Sequence, residues 1–162
     1  MKNGIVFTPK YIVENMLDMV GYKSSNILNK HVIDNSCGDG AFLMAVVGRY
    51  IKNAKKHGYS SNEIKKLLET FIHGIEIDAE NYKNVISNLN KVLVEYKLSI
   101  RVNWDITLGD ATEIDKFNGK MDFVVGNPPY IRNHDMNFDY KKFSFAKSMT
   151  DLYIIFFEIG IN

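Results

Sequence analysis

Short apolar runs alternate along this chain with longer segments of helical periodicity, and that alternation leaves few folds open. Residues 31–34, 71–77, 98–102 and 121–125 have the length and composition of strands. Between them, Ile12, Val13, Met16, Leu17 and Val20 recur at helical spacing, which predicts a first helix with Thr8 as N-cap, Pro9 at its first position and a stop at Gly21. Gly40 leads into a second helix through Phe42, Val46 and Tyr50, and Ser-Ser-Asn-Glu-Ile-Lys-Lys-Leu-Leu-Glu carries the capping signature of a short third one. A long helix is expected over residues 79–96, with Tyr82, Val85, Ile86, Leu89, Val92 and Leu93 on its apolar face. Strands alternating with helices in this way predict βαβ units, hence an α/β fold with a parallel sheet flanked by helices.

The chain has 162 residues and is 46% apolar, enough for one packed domain. Its apolar runs fall far short of the roughly 20 residues needed to span a bilayer, and the N-terminus lacks the apolar core of a secretory signal, so the expected compartment is the cytoplasm, with no membrane partner. A lone Cys37 allows no internal disulfide, and His31, His57, His73 and His134 show no ligand spacing, so no metal site is expected. The net charge of +1 gives no strongly basic face; if the substrate is a nucleic acid, its main grip lies elsewhere.

Four features converge on one edge of such a sheet. In Val-Ile-Asp-Asn-Ser-Cys-Gly-Asp-Gly-Ala-Phe, residues 32–42, a strand ends at Asp34 and a turn with Gly38 and Gly40 opens a helix, so the backbone can approach a ligand at a helix N-terminus. Glu76 stands where the second strand should end, at the separation that suits an acid on ribose hydroxyls; its plainer reading is a solvated strand-end carboxylate. Asp110 should close the third strand, either as an acceptor for an exocyclic amine or as a simple turn residue. Asn127-Pro128-Pro129-Tyr130 closes the fourth strand as a stiff, non-helical ledge. Ligands of open parallel sheets bind outside the carboxyl ends of the strands, where all four features should meet.

With those motifs in this order, the chain resembles the S-adenosylmethionine-dependent N6-adenine DNA methyltransferases of type II restriction-modification systems. Val-Phe-Thr-Pro-Lys-Tyr-Ile-Val-Glu-Asn-Met-Leu is similar to their N-terminal motif, Asp-Asn-Ser-Cys-Gly-Asp-Gly-Ala-Phe-Leu to their glycine loop, and Gly-Ile-Glu-Ile-Asp to the segment with the ribose-binding acid. Gly-Asp-Ala matches the adenine contact and Asn-Pro-Pro-Tyr the catalytic tetrapeptide. The resemblance implies a Rossmann-like methyltransferase fold, with Thr8 and Pro9 against the methionine moiety of the donor. It also implies that Asp34, Cys37, Gly38, Gly40 and Phe42 form the loop that holds the donor's amino and carboxylate groups, that Glu76 takes the ribose, and that Asp110 with Ile77 takes the adenine. Phe156 is the candidate for stacking on that adenine, against a plainer role in the helix core. The family usually has proline where this chain has Asn35.

For the tetrapeptide, the resemblance implies that the Asn127 side-chain oxygen and the Pro128 carbonyl accept the hydrogens of an adenine amino group, localising its lone pair toward the methyl donor. Pro129 stiffens the ledge, and Tyr130 stacks on a base flipped out of double-stranded DNA. Residues 131–149 show no sustained period and read as a long loop, in which Arg132, Lys141, Lys142 and Lys147 alternate with Phe138, Tyr140, Phe143 and Phe145. That mixture suits either phosphates and bases or the covering of exposed core. The last segment reads as an apolar helix without a C-capping signal, so residues 1–162 are expected to be the N-terminal part of a catalytic domain, truncated before its last strands and without its target-recognition domain. The longer parent could bring a restriction endonuclease domain or subunit. Two other readings stay open: a glutamine-N5 methyltransferase of the release-factor type, which shares the tetrapeptide, and a cofactor-binding fragment without turnover.

Overall fold

A computed structural model describes residues 8–130, 143–145 and 151–161. Helix α1 (Lys10–Met19) is followed by β1 (Val32–Asp34), α2 (Ala41–Lys56), α3 (Ser61–Phe71), β2 (Ile72–Glu76), α4 (Ala79–Glu95), β3 (Asp105–Leu108), β4 (Phe123–Val124) and α5 (Leu152–Ile161). The strands form one parallel sheet in the order β3-β2-β1-β4, with Val32 opposite both Ile72 and Phe123 and Glu76 opposite Leu108. The order reverses between β1 and β4, which opens a crevice at the carboxyl ends of these two strands.

Local signals place most of these elements. Ser60 and Glu63 form a reciprocal capping box at the start of α3. Asp78 accepts from the backbone N–H groups of Glu80 and Asn81 to start α4. Gly40 caps α2 because a Cβ at that position would lie 2.7 Å from Val85 Cγ2, so any larger residue would push α4 off α2. On this face of the sheet the core joins Val13 and Leu17 of α1 to Leu43, Val46, Val47 and Tyr50 of α2 and to Val85 and Leu89 of α4. On the other face, Ile33 and Ile75 pack with Ala111, Phe117 and Phe156.

Two expectations are corrected. The third strand is not residues 98–102 but Asp105–Leu108. Leu98 and Val102 are buried, yet they lie in a loop that begins where Leu98 N–H turns back to Leu93 O and that is held by Asn103 N–H on Glu69 and Trp104 Nε1 on Asn90. Their apolar side chains pack without joining a ladder. Thr8 also does not cap α1: Pro9 occupies the cap position without a side-chain bond, and the helix begins one residue later than expected. The run of residues 131–149 lies outside the described residues except for 143–145, and with it Arg132, Phe138, Tyr140, Lys141, Lys142 and Lys147. The backbone N–H groups of Ser144 and Phe145 both donate to Glu158 on α5.

The opposite edge of the sheet is closed by its own polar chain. Lys116 bonds Asp105, Asp105 bonds His73 Nδ1 at 2.7 Å, and His73 Nε2 lies 2.9 Å from His31 Nδ1. His31 and His73, which showed no ligand spacing in the sequence, therefore meet at the amino ends of β1 and β2, away from the crevice.

Candidate active site

The loop after β1 is held by backbone bonds. Cys37 N–H donates to Ile75 O at 3.0 Å, and Gly40 N–H donates to Cys37 O at 2.9 Å. The Cys37 sulfur packs toward Gly74, where a Cβ would come within 2.5 Å of it, and burial pushes its thiol well above the usual range. Phe42 is buried in the first turn of α2. Cys37 and Phe42 thus shape the loop from the core side.

Glu76 is not a solvated strand end. It is only 6% exposed, and its Oε2 accepts Gly38 N–H at 2.6 Å while Oε1 accepts Asp78 N–H at 2.9 Å. Its own carbonyl accepts Gly109 N–H, so one residue fastens together the loops after β1, β2 and β3. An ionised carboxylate has about four lone-pair sites, which leaves acceptor capacity for hydroxyls of a ligand. The neighbouring Ile77 is 68% exposed, an apolar surface directly beside that acid. Asp110 acts as a turn residue: its Oδ1 accepts from both the backbone N–H and the hydroxyl of Thr112. Phe156 packs half-buried against Ile33, Ile75, Ala111 and Phe117.

Asp34 ends β1 at 1% exposure and accepts Ser36 N–H at 3.0 Å. Burial pushes its carboxyl up to about 7, Glu76 adds to the rise and the Ser36 bond opposes it. No cation pairs with Asp34 among the described residues, and the Ser36 hydroxyl, also buried, has no partner among them. A buried acid without a counter-charge, beside an orphaned hydroxyl, is the arrangement that a cationic, polar ligand would complete.

The fourth strand brings its ledge onto that acid. Val125 N–H extends the ladder to Ile33 O, and Gly126 follows with φ of 153°. A Cβ at Gly126 would lie 2.6 Å from Asp34 Oδ1, so only glycine lets the ledge sit on the acid. Sequence reasoning missed Gly126; its one signal was a glycine directly before Asn-Pro-Pro. Beyond it, Asn127 Nδ2 donates to Thr8 Oγ1 at 3.1 Å, and the Tyr130 hydroxyl donates to Asn127 Oδ1 at 3.0 Å. The Tyr130 ring is 58% exposed and lies 6.1 Å from that of Tyr153 on α5. Thr8, Asp34, Asn127 and Tyr130 therefore meet at the reversal of strand order, and Glu76 is joined to them through the glycine loop.

The sequence profile of the Eco57I restriction-modification methylase family matches residues 23–162. The chain belongs to that family. Among curated relatives, the type II methyltransferase M.BstVI of Geobacillus stearothermophilus is 36% identical over 99% of this chain and 31% of its own length. The type II methyltransferase M.XhoI of Xanthomonas vasicola is 27% identical over 97% of the chain and 31% of its own. The Eco57I-family chain described here thus spans about a third of these relatives. Among solved structures, a DrdV–DNA complex superposes with a TM-score of 0.67 at 16% identity, covering 96% of this chain and 19% of that one. The ATP-dependent Type ISP restriction-modification enzyme LlaBIII bound to DNA gives 0.66 at 19% identity, covering 99% and 14%. These likenesses establish the Rossmann-like methyltransferase fold expected from the sequence. Methylases of the Eco57I family are S-adenosylmethionine-dependent, so the expected donor stands as well. No helix among the described residues is long and apolar enough to cross a membrane.

Proposed function

We propose that residues 1–162 form the donor-binding and catalytic N-terminal part of a methyltransferase that modifies the N6 amino group of adenine in double-stranded DNA, within a restriction-modification system. The observation that carries this reading is Asn127, an amide carried on a Pro-Pro ledge and held beside the buried Asp34 at the crevice of the sheet. An adenine amino nitrogen is a poor nucleophile because its lone pair is delocalised into the ring. Asn127 Oδ1 would accept one amino hydrogen and the Pro128 carbonyl the other, which draws the lone pair out of conjugation.

S-adenosylmethionine supplies a methyl group already activated by a positive sulfur. Asp34 offers its ammonium group a buried carboxylate, the Ser36 hydroxyl a further polar contact, Glu76 an acceptor for ribose hydroxyls, and Ile77 an apolar surface for the adenine. Asp110, with one oxygen engaged in its turn, has the other for the adenine amino group. The target base must leave the duplex to reach Asn127, and the exposed Tyr130 ring is placed to stack on it. Double-stranded DNA as partner is supported by the DNA-bound enzymes that share the fold, and the cytoplasm is the compartment this reading expects. The relative RM.BcgI joins restriction enzyme and methyltransferase in one protein, which makes an endonuclease domain or subunit the expected companion.

The test is methyl transfer from labelled S-adenosylmethionine to duplex DNA, followed by nucleoside analysis. N6-methyladenine supports the reading, whereas N4-methylcytosine, methylated glutamine in a protein acceptor or no transfer at all would each displace it. Two variants sharpen the assignment. Glu76→Ala leaves the Gly38 and Asp78 N–H groups unpaired, so calorimetric titration should show donor affinity lowered roughly 10–100-fold and melting should show a loss of about 1–3 kcal/mol. Tyr130→Ala should lower kcat/KM for DNA by about 10–100-fold through lost base stacking, while Tyr130→Phe stays within about threefold.

A further inference from the structure

We propose that Asn88 on α4 is a positioning residue for the glycine loop, holding the Asp39–Gly40 peptide so that the loop keeps its free N–H groups for the carboxylate of S-adenosylmethionine; this rests on the assignment of that loop to the methyl donor. Each residue of Gly38-Asp39-Gly40 is gripped from the β2–α4 unit. Glu76 at the end of β2 accepts Gly38 N–H at 2.6 Å. Val85 on α4 lies against Gly40, where a Cβ would come within 2.7 Å of its Cγ2. One turn further along α4, Asn88 Nδ2 donates to the Asp39 carbonyl at 2.9 Å. The partners of this amide settle which way it faces: a carbonyl only accepts, and the Lys91 ammonium, 3.0 Å from Asn88 Oδ1, only donates.

The Asp39 carbonyl needs such a partner because it lies just outside the ladder of α2. That ladder begins with Met44 N–H on Gly40 O, and no N–H of α2 bonds Asp39. At the other end of the same peptide, Gly40 N–H donates to Cys37 O at 2.9 Å. Both ends of the 39–40 peptide are therefore held, and its carbonyl is turned onto α4.

The N–H groups of Asp39, Ala41 and Phe42 have no acceptor among the described residues. They are the groups that the loop and the head of α2 can offer to an anion. A carbonyl swung among them would repel that anion, so the bond to Asn88 should count in affinity for the methyl donor. The transfer step, which takes place at Asn127, should be indifferent to it.

The experiment compares four proteins by calorimetric titration with S-adenosylmethionine and by kinetics at saturating methyl donor. Asn88→Leu removes the NH2 group at similar volume, and Asn88→Asp keeps the shape but puts an acceptor where the N–H was. Asn84→Leu makes the same chemical change as the first at an exposed position of the same helix. In Asn88→Leu, Kd should rise about 5–30-fold, with kcat and DNA KM within about threefold of wild type; in Asn84→Leu, Kd should stay within about twofold. In Asn88→Asp, Kd should rise at least about threefold, although the added negative charge by itself attracts a ligand of net positive charge. A Kd within twofold of wild type in both Asn88 variants, whatever their Tm, would leave Asn88 a merely structural role and overturn the assignment. An equal rise in Asn84→Leu, or a loss confined to kcat, would overturn it as well. If the wild type binds S-adenosylmethionine but methylates no adenine in DNA, the functional reading fails, and the Kd values still decide the role of Asn88. A wild type that binds none overturns both.

Discussion

Alanine in place of Asn127 should lower the methyl-transfer rate by roughly 10²–10³-fold while leaving donor affinity within about twofold. The two expectations have separate physical origins. The side chain of Asn127 stands on a ledge and touches Thr8 and Tyr130, whereas the donor's ammonium group, ribose and adenine are assigned to Asp34, Ser36, Glu76, Ile77 and Asp110 on the neighbouring loops. Removing the amide takes away an acceptor aimed at a charge that develops only during transfer, and such an interaction affects kcat rather than binding. The fold should be nearly indifferent: Tyr130 is mostly exposed and can turn its hydroxyl to water, so the change in stability should stay under about 1 kcal/mol. Single-turnover transfer with donor and DNA both saturating checks the first expectation, and calorimetric titration the second. An Asn127→Ala protein that turns over within threefold of wild type would remove the amide from the chemistry altogether.

What the sequence disclosed and what it hid divide along physical lines. The capping box of α3, the Asp78 cap and the turn into α2 were legible because each is settled by residues within a few positions of one another. The identity of β3 was not. It is an edge strand with a single buried residue, Ile106, whereas the more apolar residues 98–102 gain their burial in a loop. Periodicity reports burial, and here burial and hydrogen-bonded pairing parted. The same limit governs the site. Asp34, Glu76 and Asn127 stood out because their residue types at strand ends imply chemistry. The contacts that organise them, Gly126 on Asp34, Gly38 on Glu76 and Thr8 on Asn127, join residues 38 to 119 positions apart. Asp110 and Cys37 make the complementary case: both sit in motifs of the right order, yet the visible work of one is a turn and that of the other is packing.

Asparagine in place of Asp34 should make the protein more stable and nearly abolish donor binding, and the stability gain should depend on pH. In the folded chain burial raises the Asp34 carboxyl to about 7, far above its value in an unfolded chain. A raised folded-state value means that stability is fully present below about pH 4, where the group is protonated in both states, and is lost as pH rises through 7 and a lone buried charge must form. Asparagine keeps the acceptor for Ser36 N–H and never ionises, so the variant and wild type should melt alike near pH 4 and diverge by roughly 2–4 kcal/mol at pH 8, about 5–10 °C in Tm. The donor should reverse the order. Its ammonium group supplies the counter-charge that Asp34 lacks, so saturating S-adenosylmethionine at 100-fold over Kd should raise wild-type stability by about 2.7 kcal/mol and leave Asp34→Asn unmoved. A difference between the two proteins that is constant from pH 4 to 8 would mean that Asp34 ionises without strain in the empty site. A variant still stabilised by the donor would place the ammonium group on some other residue. The expected pattern instead marks a site that gives up fold stability so that one buried carboxylate stands ready for a cation.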